Sequence, residues 1–318
     1  MKLIIQLPCY NEAEQLPRTL ADLPRAVDGF DSVEWLVIDD GSVDGTAEIA
    51  LANGVDHVVR LDHNQGLARA FMAGIEACLI RGADVIVNTD GDNQYRAEFI
   101  PALTRPILAG EAQIAIGARS IETIRHFSPI KRVLQRFGSW VVRRASGADV
   151  ADAPSGFRAI HRAAAVRLYV FDRHTYTLET IIQAGRLGIP MVSVPIEVNP
   201  PTRESRLFRS SAQYVMRSAG TILRIAMFYH PLRSFSLLAL ILAAPGAAAF
   251  ARFLWFVALG DGGGHVQSLV IAAALIAAGA VVLVGGLLAD LIAANRVLLA
   301  ELRGRELLRS VRAEREGR

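Results

Sequence analysis

Asp90-Gly91-Asp92 places two carboxylates one residue apart, just beyond the apolar run Val85–Val87 and the residues Asn88-Thr89. Carboxylates at that spacing make a hard oxygen site. Mg²⁺ or Mn²⁺ is held by one or two carboxylates and fills its remaining shell with phosphate oxygens and water. Gly91 lets the backbone approach a ligand closely, and Gln94 could add a third oxygen. Alone the pattern is weak, because acidic turns are common and usually only solvated. Two more polar clusters follow apolar runs in the same way. Asp39-Asp40-Gly41-Ser42-Val43-Asp44-Gly45-Thr46 closes Trp35–Ile38. Its carboxylates could accept hydrogen bonds from a base or from ribose hydroxyls, while Ser42 and Asp44 could serve only as turn and helix cap. Pro8-Cys9-Tyr10-Asn11-Glu12 closes Leu3–Leu7 and offers an aromatic face for stacking and a carboxylate for ribose. A plain strand end with a cap is the alternative there.

These clusters need elements to position them. Leu3–Leu7, Trp35–Ile38, Val55–Arg60, Val85–Val87 and Ile114–Ile116 read as strands. Between them, Asn11–Arg25 (with Asn11 as a cap), Asp44–Ala52 and Gly66–Ile80 read as helices by their apolar spacing. Such alternation predicts an α/β fold with a mostly parallel sheet covered by helices on both faces. Sheets of that kind bind ligands outside the carboxyl ends of their strands. The three clusters are therefore expected on one rim. Beyond Gly117 the pattern loosens: a basic helix over Ser128–Ala145, a strand at Gly156–Ile160, a helix at Thr177–Leu187 and a strand at Met191–Val198. Pro195 suits an edge position in that last strand. Leu207–Tyr229 carries Arg209, Arg217 and Arg224 among apolar residues, the pattern of a helix lying in a membrane interface.

Composition marks a second boundary. The chain has 318 residues and is 52% hydrophobic, and the excess is concentrated. Charged side chains almost vanish from Phe235 to Ile292, leaving Arg252, Asp261 and Asp290. Phe235–Leu259 and Val266–Ala294 each exceed the roughly 20 apolar residues that a spanning helix needs. The connector Gly260–His265 has no Lys or Arg, whereas Arg217, Arg224 and Arg233 flank one side and Arg296, Arg303 and Arg305 the other. The positive-inside rule puts both flanks in the cytoplasm and the connector outside. A buried helical pair in a soluble core is the competing reading. Lys2-Leu3-Ile4-Ile5 is cut short by Gln6 and Pro8, too soon for a signal-peptide core, so the catalytic part is expected in the cytoplasm. The expected organisation is a catalytic domain over 1–206, an amphipathic helix over 207–233, two transmembrane helices over 234–295 and a basic cytoplasmic tail over 296–318. A net charge of +3 gives no argument for a nucleic-acid partner. The basic clusters beside the apolar segments read instead as attraction to anionic lipid. Cys9 and Cys78, without CxxC spacing, are expected as two buried thiols.

Taken as an ordered set, these motifs resemble the family 2 glycosyltransferases. The set comprises LPCYNE from Leu7, VIDDGSVDGT from Val37, NQG at Asn64–Gly66, DGDNQ from Asp90, GAR at Gly117–Arg119, DAPSGFR from Asp152 and RESRL from Arg203. Followed by a membrane anchor, it is similar to the polyprenyl-phosphate (dolichyl-phosphate) mannose and glucose synthases. The resemblance implies a GT-A fold and an inverting enzyme. The substrates implied are a UDP- or GDP-linked sugar and a membrane polyprenyl phosphate. By position it implies that Pro8, Tyr10, Glu12, Asp39, Asp40, Asp90 and Gly91 bind the nucleotide sugar. Asp90, Asp92 and Gln94 would hold the metal. Arg119, Arg132, Arg203 and Arg206 would face phosphates, although Lys131 and Arg136 compete with Arg132 for its place. Arg206 stands where many members have Lys, which keeps the charge.

A polyprenyl phosphate acceptor has a second ionisation near pH ~6 and is then largely dianionic and nucleophilic without a strong base. Asp90, Asp92 and Arg119 would carry the chemistry at the leaving group. Asp152 would position the acceptor, act as base toward a hydroxyl acceptor, or hold its own loop. Another lipid or lipid-linked glycan is the alternative acceptor. A silent sugar-nucleotide-binding anchor is the reading from another class, which an intact DxD argues against. A processive synthase ranks low, because no QxxRW follows the DxD and only two spans are present.

Overall fold

A computed structural model of the protein describes residues 1–119, 147, 149–170, 176–200, 231–260 and 263–316. The chain divides into two units, Met1–Val215 with Ala300–Arg318, and Met216–Leu299. Three sequence expectations lie outside the described residues: the basic helix over 128–145, the interfacial helix over 207–229, and the side chains of Arg132, Arg203 and Arg206.

In the first unit, β1 (Lys2–Cys9), β2 (Ser32–Asp39), β3 (His57–Arg60), β4 (Val85–Asn88), β5 (Ile114–Arg119), β6 (Arg158–His161) and β7 (Met191–Ile196) form one sheet. Its order is β3-β2-β1-β4-β6-β5-β7. All pairings are parallel except those of β6, which runs antiparallel to both β4 and β5. The central strands are buried almost from end to end, β1 over Leu3–Cys9 and β4 throughout. That explains why they read as continuous apolar runs and not as alternating ones. β7 is an edge strand, and Pro195 lies in it opposite Ala118, where its missing N–H costs no inner ladder bond.

Helices α1 (Leu16–Asp22), α2 (Thr46–Ala52), α3 (Leu67–Ile80) and α4 (Ile100–Leu108) fill the connections between the first five strands. The short α5 (Arg162–Ala165) follows β6, and α6 (Thr177–Arg186) precedes β7. One expectation is corrected. Asn11 does not cap a helix over 11–25. Its backbone is left-handed (φ 53°), its side-chain oxygen accepts from the Val43 N–H at 3.0 Å, and α1 starts five residues later, beside Pro17. An asparagine tolerates that conformation, and proline favours the first turn of a helix.

The second unit contains α7 (Pro231–Ala258) and most of α8 (Val266–Glu316). Both are long and apolar enough to cross a membrane. Only 11% and 17% of their most apolar windows are buried. A core pair in a soluble protein would be mostly covered, and this pair is not covered by its own chain. The helices meet through small residues seven apart on α8. Ala272 and Leu275 lie against Gly246, Gly279 lies against Ala239 and Ala243, and Gly286 lies against Phe235, where a Cβ would come within 2.5 Å. Close backbone approach of this kind is how helices associate where no hydrophobic drive separates them from lipid.

The helix α8 does not stop where the apolar run ends. Residues expected as a basic cytoplasmic tail continue it through Glu316, and Ala300–Arg318 groups with the catalytic unit. There the Arg303 guanidinium donates to Glu76 at 2.7 Å and lies over the Tyr169 ring at 4.6 Å. Gly304 packs so tightly on the Val166 carbonyl that a Cβ would sit 2.8 Å from it.

Candidate active site

The three polar clusters sit at the carboxyl ends of β2, β1 and β4, which are neighbours in the sheet and parallel. Cross-loop hydrogen bonds lock the first two clusters together. The Asn11 N–H donates to Ser42 Oγ at 2.9 Å, the Glu12 N–H to Thr46 Oγ1 at 3.0 Å, and the Ala13 N–H to Asp44 Oδ2 at 3.0 Å. Burial works against the Asp44 charge, but the bonds from Thr46 and Ala13 prevail and hold its carboxyl below the usual range. Ser42 and Asp44 are thus loop braces. Asp40 is buried, and its two oxygens accept the N–H groups of Gln65 and Gly66 at 2.8 and 2.9 Å. Asp39 accepts the Ser42 N–H at 2.9 Å. Gly41, at φ 71°, passes so close to His63 and Asn64 that a Cβ would lie 2.5 Å from the backbone. These contacts build a stiff wall from three loops, with Tyr10 left 44% exposed on it, its ring open to stacking.

The DxD turn is braced in the same manner. The Thr19 hydroxyl donates to the Gly91 carbonyl at 2.9 Å, and a Cβ on Gly91 would meet Cys9 Sγ at 2.8 Å. The Gln94 N–H donates to Asp92 Oδ1 at 3.1 Å, and Asn93, left-handed at φ 56°, donates through its side chain to Asp22. Burial and then the Asp92 charge push the Asp90 carboxyl up to about 7, against the pull of Arg119. Asp90 and Asp92 side by side are a donor set that fits a divalent cation, whose charge would relieve their repulsion. Among the described residues no group of three or more His, Cys, Asp or Glu closes a cage. A cation at Asp90 and Asp92 would therefore keep most of its shell for phosphate oxygens and water. Cys9 takes no nucleophilic part: burial and the surrounding carboxylates push its thiol well above the usual value.

The sequence profile of the family described as "Glycosyl transferase family 2" matches residues 4–171, more than half of the chain. The chain belongs to this family. Among its relatives, the undecaprenyl-phosphate mannosyltransferase of Micrococcus luteus is 31% identical over 207 residues, covering 62% of this chain and 83% of that one. The polyprenol monophosphomannose synthase of Mycolicibacterium smegmatis is 30% identical over 236 residues, covering 71% and 84%. Of the solved structures, the glucosyl-3-phosphoglycerate synthase of Mycobacterium tuberculosis superposes with a TM-score of 0.54 at 20% identity, covering 71% of this chain and 78% of that one. That structure was determined with Mn²⁺, UDP and glucosyl-3-phosphoglycerate. At this identity the likeness speaks for the GT-A fold.

In this family 2 glycosyltransferase, the Arg119–Asp152 pair departs from the simplest expectation. Asp152 Oδ2 accepts from Arg119 Nε at 2.6 Å and from its backbone N–H at 3.2 Å, while Oδ1 accepts from Nη2 at 3.1 Å. The Asp152 side chain is 1% exposed and that of Arg119 13%. Burial opposes the Arg119 charge, yet the Asp152 bonds outweigh it and hold the guanidinium above its usual value. Both Asp152 oxygens are engaged by Arg119, an arrangement that orients the guanidinium. A planar guanidinium held on one edge is well set to offer the other edge to phosphate oxygens.

Other residues of this glycosyltransferase escaped the sequence reading. Arg158 is fully buried and grips its own loop, donating to the carbonyls of Ser155 and Ala153 at 2.9 Å each and to Thr180 Oγ1 at 2.5 Å. Burial lowers its guanidinium to about 10. Gln6 and Asn88 are register partners on β1 and β4, each without exposed surface, and Tyr176 and Tyr95 are buried as well. The available signal was a polar residue inside one apolar strand, Gln6, and one closing another, Asn88.

Proposed function

We propose that this chain transfers a sugar from a nucleotide diphosphate sugar to a membrane polyprenyl phosphate, with inversion at the anomeric carbon. The observation that carries the reading is the convergence of the Asp90/Asp92 pair with the braced β1 and β2 loops on one rim. Names of relatives that act on polyprenyl phosphate and the two apolar helices support the acceptor class. The base and ribose would lie along Tyr10, Glu12, Asp39 and Asp40, with the diphosphate reaching toward Asp90 and Asp92.

In the reaction, the bond from the anomeric carbon to the diphosphate breaks as a bond to the acceptor phosphate oxygen forms. The nucleotide diphosphate leaves with the electron pair. Mg²⁺ or Mn²⁺ held by Asp90 and Asp92, with Gln94 nearby, would supply charge neutralisation at that leaving group. Arg119 would add a guanidinium at the same charge, steadied by Asp152. The acceptor phosphate, dianionic above its second pKa near ~6, needs no proton removed. The enclosed state of Asp152 agrees with a reaction that uses no carboxylate base. Arg132, Arg203 and Arg206 complete the proposed phosphate-binding set. In the proposed topology both termini and the catalytic domain are cytoplasmic and His265 is external.

Membranes containing the chain, incubated with a panel of radiolabelled UDP- and GDP-sugars, test the function. Label should enter the lipid extract as an acid-labile, singly glycosylated polyprenyl phosphate. Label found only on a hydroxyl lipid or on a lipid-linked glycan would replace the acceptor, and no transfer from any sugar nucleotide would remove the enzyme reading.

A further inference from the structure

Directly behind the DxD lies a buried polar chain that the proposed reaction does not use. Gln6 Nε2 donates to Asn88 Oδ1 at 2.8 Å. Asn88 Nδ2 donates to the Gly156 carbonyl at 2.8 Å and to the Tyr176 hydroxyl at 2.9 Å. On the other side of the same residue, the Gly156 N–H donates to the Tyr95 hydroxyl at 3.0 Å. The two aromatic rings are themselves fixed, Tyr176 stacked on Phe71 at 4.0 Å and Tyr95 on Phe157 at 5.3 Å. Room for the chain is made by Gly74, where a Cβ would strike Gln6 Oε1 at 2.5 Å.

Gln6 and Asn88 on adjacent strands, and Tyr176 at the head of α6, are 0–1% exposed among apolar residues. Burying such groups is costly unless each is hydrogen-bonded, and apolar side chains would fill the space without that demand. The chain ends at one place, the backbone of Gly156. Around the spot where a Cβ of Gly156 would sit, the Tyr176 hydroxyl is 2.7 Å away and the Asp90 oxygens are 3.3 and 3.6 Å away. Gly156 is therefore a shim between Tyr176 and Asp90. Its peptide is gripped at both N–H and C=O, and its bare Cα forms the back wall of the Asp90 carboxylate.

We propose that Tyr176 and Asn88 are positioning residues for Asp90, setting its carboxylate through the Gly156 peptide. This rests on the reading of Asp90 as a metal ligand. Groups that orient a ligand's side chain typically contribute tenfold or more to metal affinity. Such a role differs from ordinary core support, which would alter stability and leave cation binding alone.

The test uses detergent-solubilised full-length protein and Mn²⁺ alone, with free Mn²⁺ followed by electron paramagnetic resonance. Tyr176→Phe keeps the ring and its stacking and removes only the hydroxyl. Gly156→Ala inserts a methyl against Asp90. Each should raise the Mn²⁺ dissociation constant on the order of tenfold, with circular dichroism unchanged. Tyr176→Phe carries the test if Gly156→Ala does not fold. A folded Tyr176→Phe variant that binds Mn²⁺ within twofold of the parent overturns the proposal, whatever its thermal stability. A parent that binds no Mn²⁺ with micromolar to millimolar affinity would instead remove the metal-site reading on which it stands.

Discussion

Asp92→Asn keeps the shape of the DxD turn, since an amide oxygen can still accept the Gln94 N–H, but removes a charge from the rim. Transfer should fall by about a hundredfold or more, with the circular dichroism spectrum of the parent. EDTA should have the same effect, reversed by Mn²⁺ or Mg²⁺. Full turnover in either case would contradict a metal at Asp90 and Asp92. Asp152 answers to a different physics. Asp152→Ala strands Arg119, 13% exposed and without its bidentate carboxylate. Leaving a buried charge unpaired costs about 3 kcal/mol, which denaturation followed by tryptophan fluorescence would register as an earlier midpoint. A variant as stable as the parent would mean that the pair does not hold its loop. For the acceptor, Arg203→Lys retains charge but loses paired phosphate contacts. It should raise the KM for polyprenyl phosphate on the order of tenfold and move that for the sugar nucleotide far less. Weaker membrane binding with unaltered acceptor kinetics in detergent would reduce Arg203 to lipid attraction. Types and spacing at these positions were legible in the sequence. The partner of Asp152 was not, because Arg119 ends β5 while Asp152 lies in the loop before β6, and nothing in the local pattern joins the two.

Strands were the easiest elements to read and helix starts the hardest. β1 and β4 are buried on both faces, so hydrophobicity alone delimits them. The start of α1 depends on a contact from Asn11 to Val43 on the next loop, which periodicity does not record. The opposite ends of the first three strands make a testable clasp. Glu34 on β2 pairs with Lys2 on β1 at 2.7 Å and with His57 on β3 at 2.8 Å. Burial opposes the Glu34 charge, but the bonds from Lys2 and His57 prevail and lower its carboxyl from the usual value. A lowered carboxyl contributes stability that is fully present above its unfolded pKa and is lost as pH falls through the folded one. The contribution, about 0.5 kcal/mol for a pair this exposed, should fade below about pH 4.3, the ordinary glutamate value. Glu34→Gln should be less stable than the parent at pH 7 and converge with it near pH 3 in thermal melts. An equal gap at both pH values would show that the clasp has no electrostatic part.

For the whole molecule, the arginine asymmetry across α7 and α8 predicts a topology that labelling can read. On a cysteine-free background, an impermeant thiol reagent applied to intact cells should label Gly263→Cys and spare Ser310→Cys; the reverse pattern would invert the molecule. The amino-acid sequence by itself determined that a catalytic α/β unit is joined to two apolar spans, and that three polar clusters share a rim. It could do so because burial on both sheet faces, spans almost free of charge and strand direction are all written along the chain. The positive charge after residue 295 was legible too, but not its use: Arg303 binds Glu76 and Tyr169 of the catalytic unit. Only the tertiary structure decided that Gly156 backs Asp90, that Tyr176 and Asn88 hold Gly156, and that Asp152 steadies Arg119. These meetings follow from β6 entering antiparallel between β4 and β5, which brings the Asp152–Phe157 loop up against the DxD. Periodicity fixes which face of an element a side chain occupies. It does not fix which strand comes to lie beside it, and that is settled by the packing of the whole sheet.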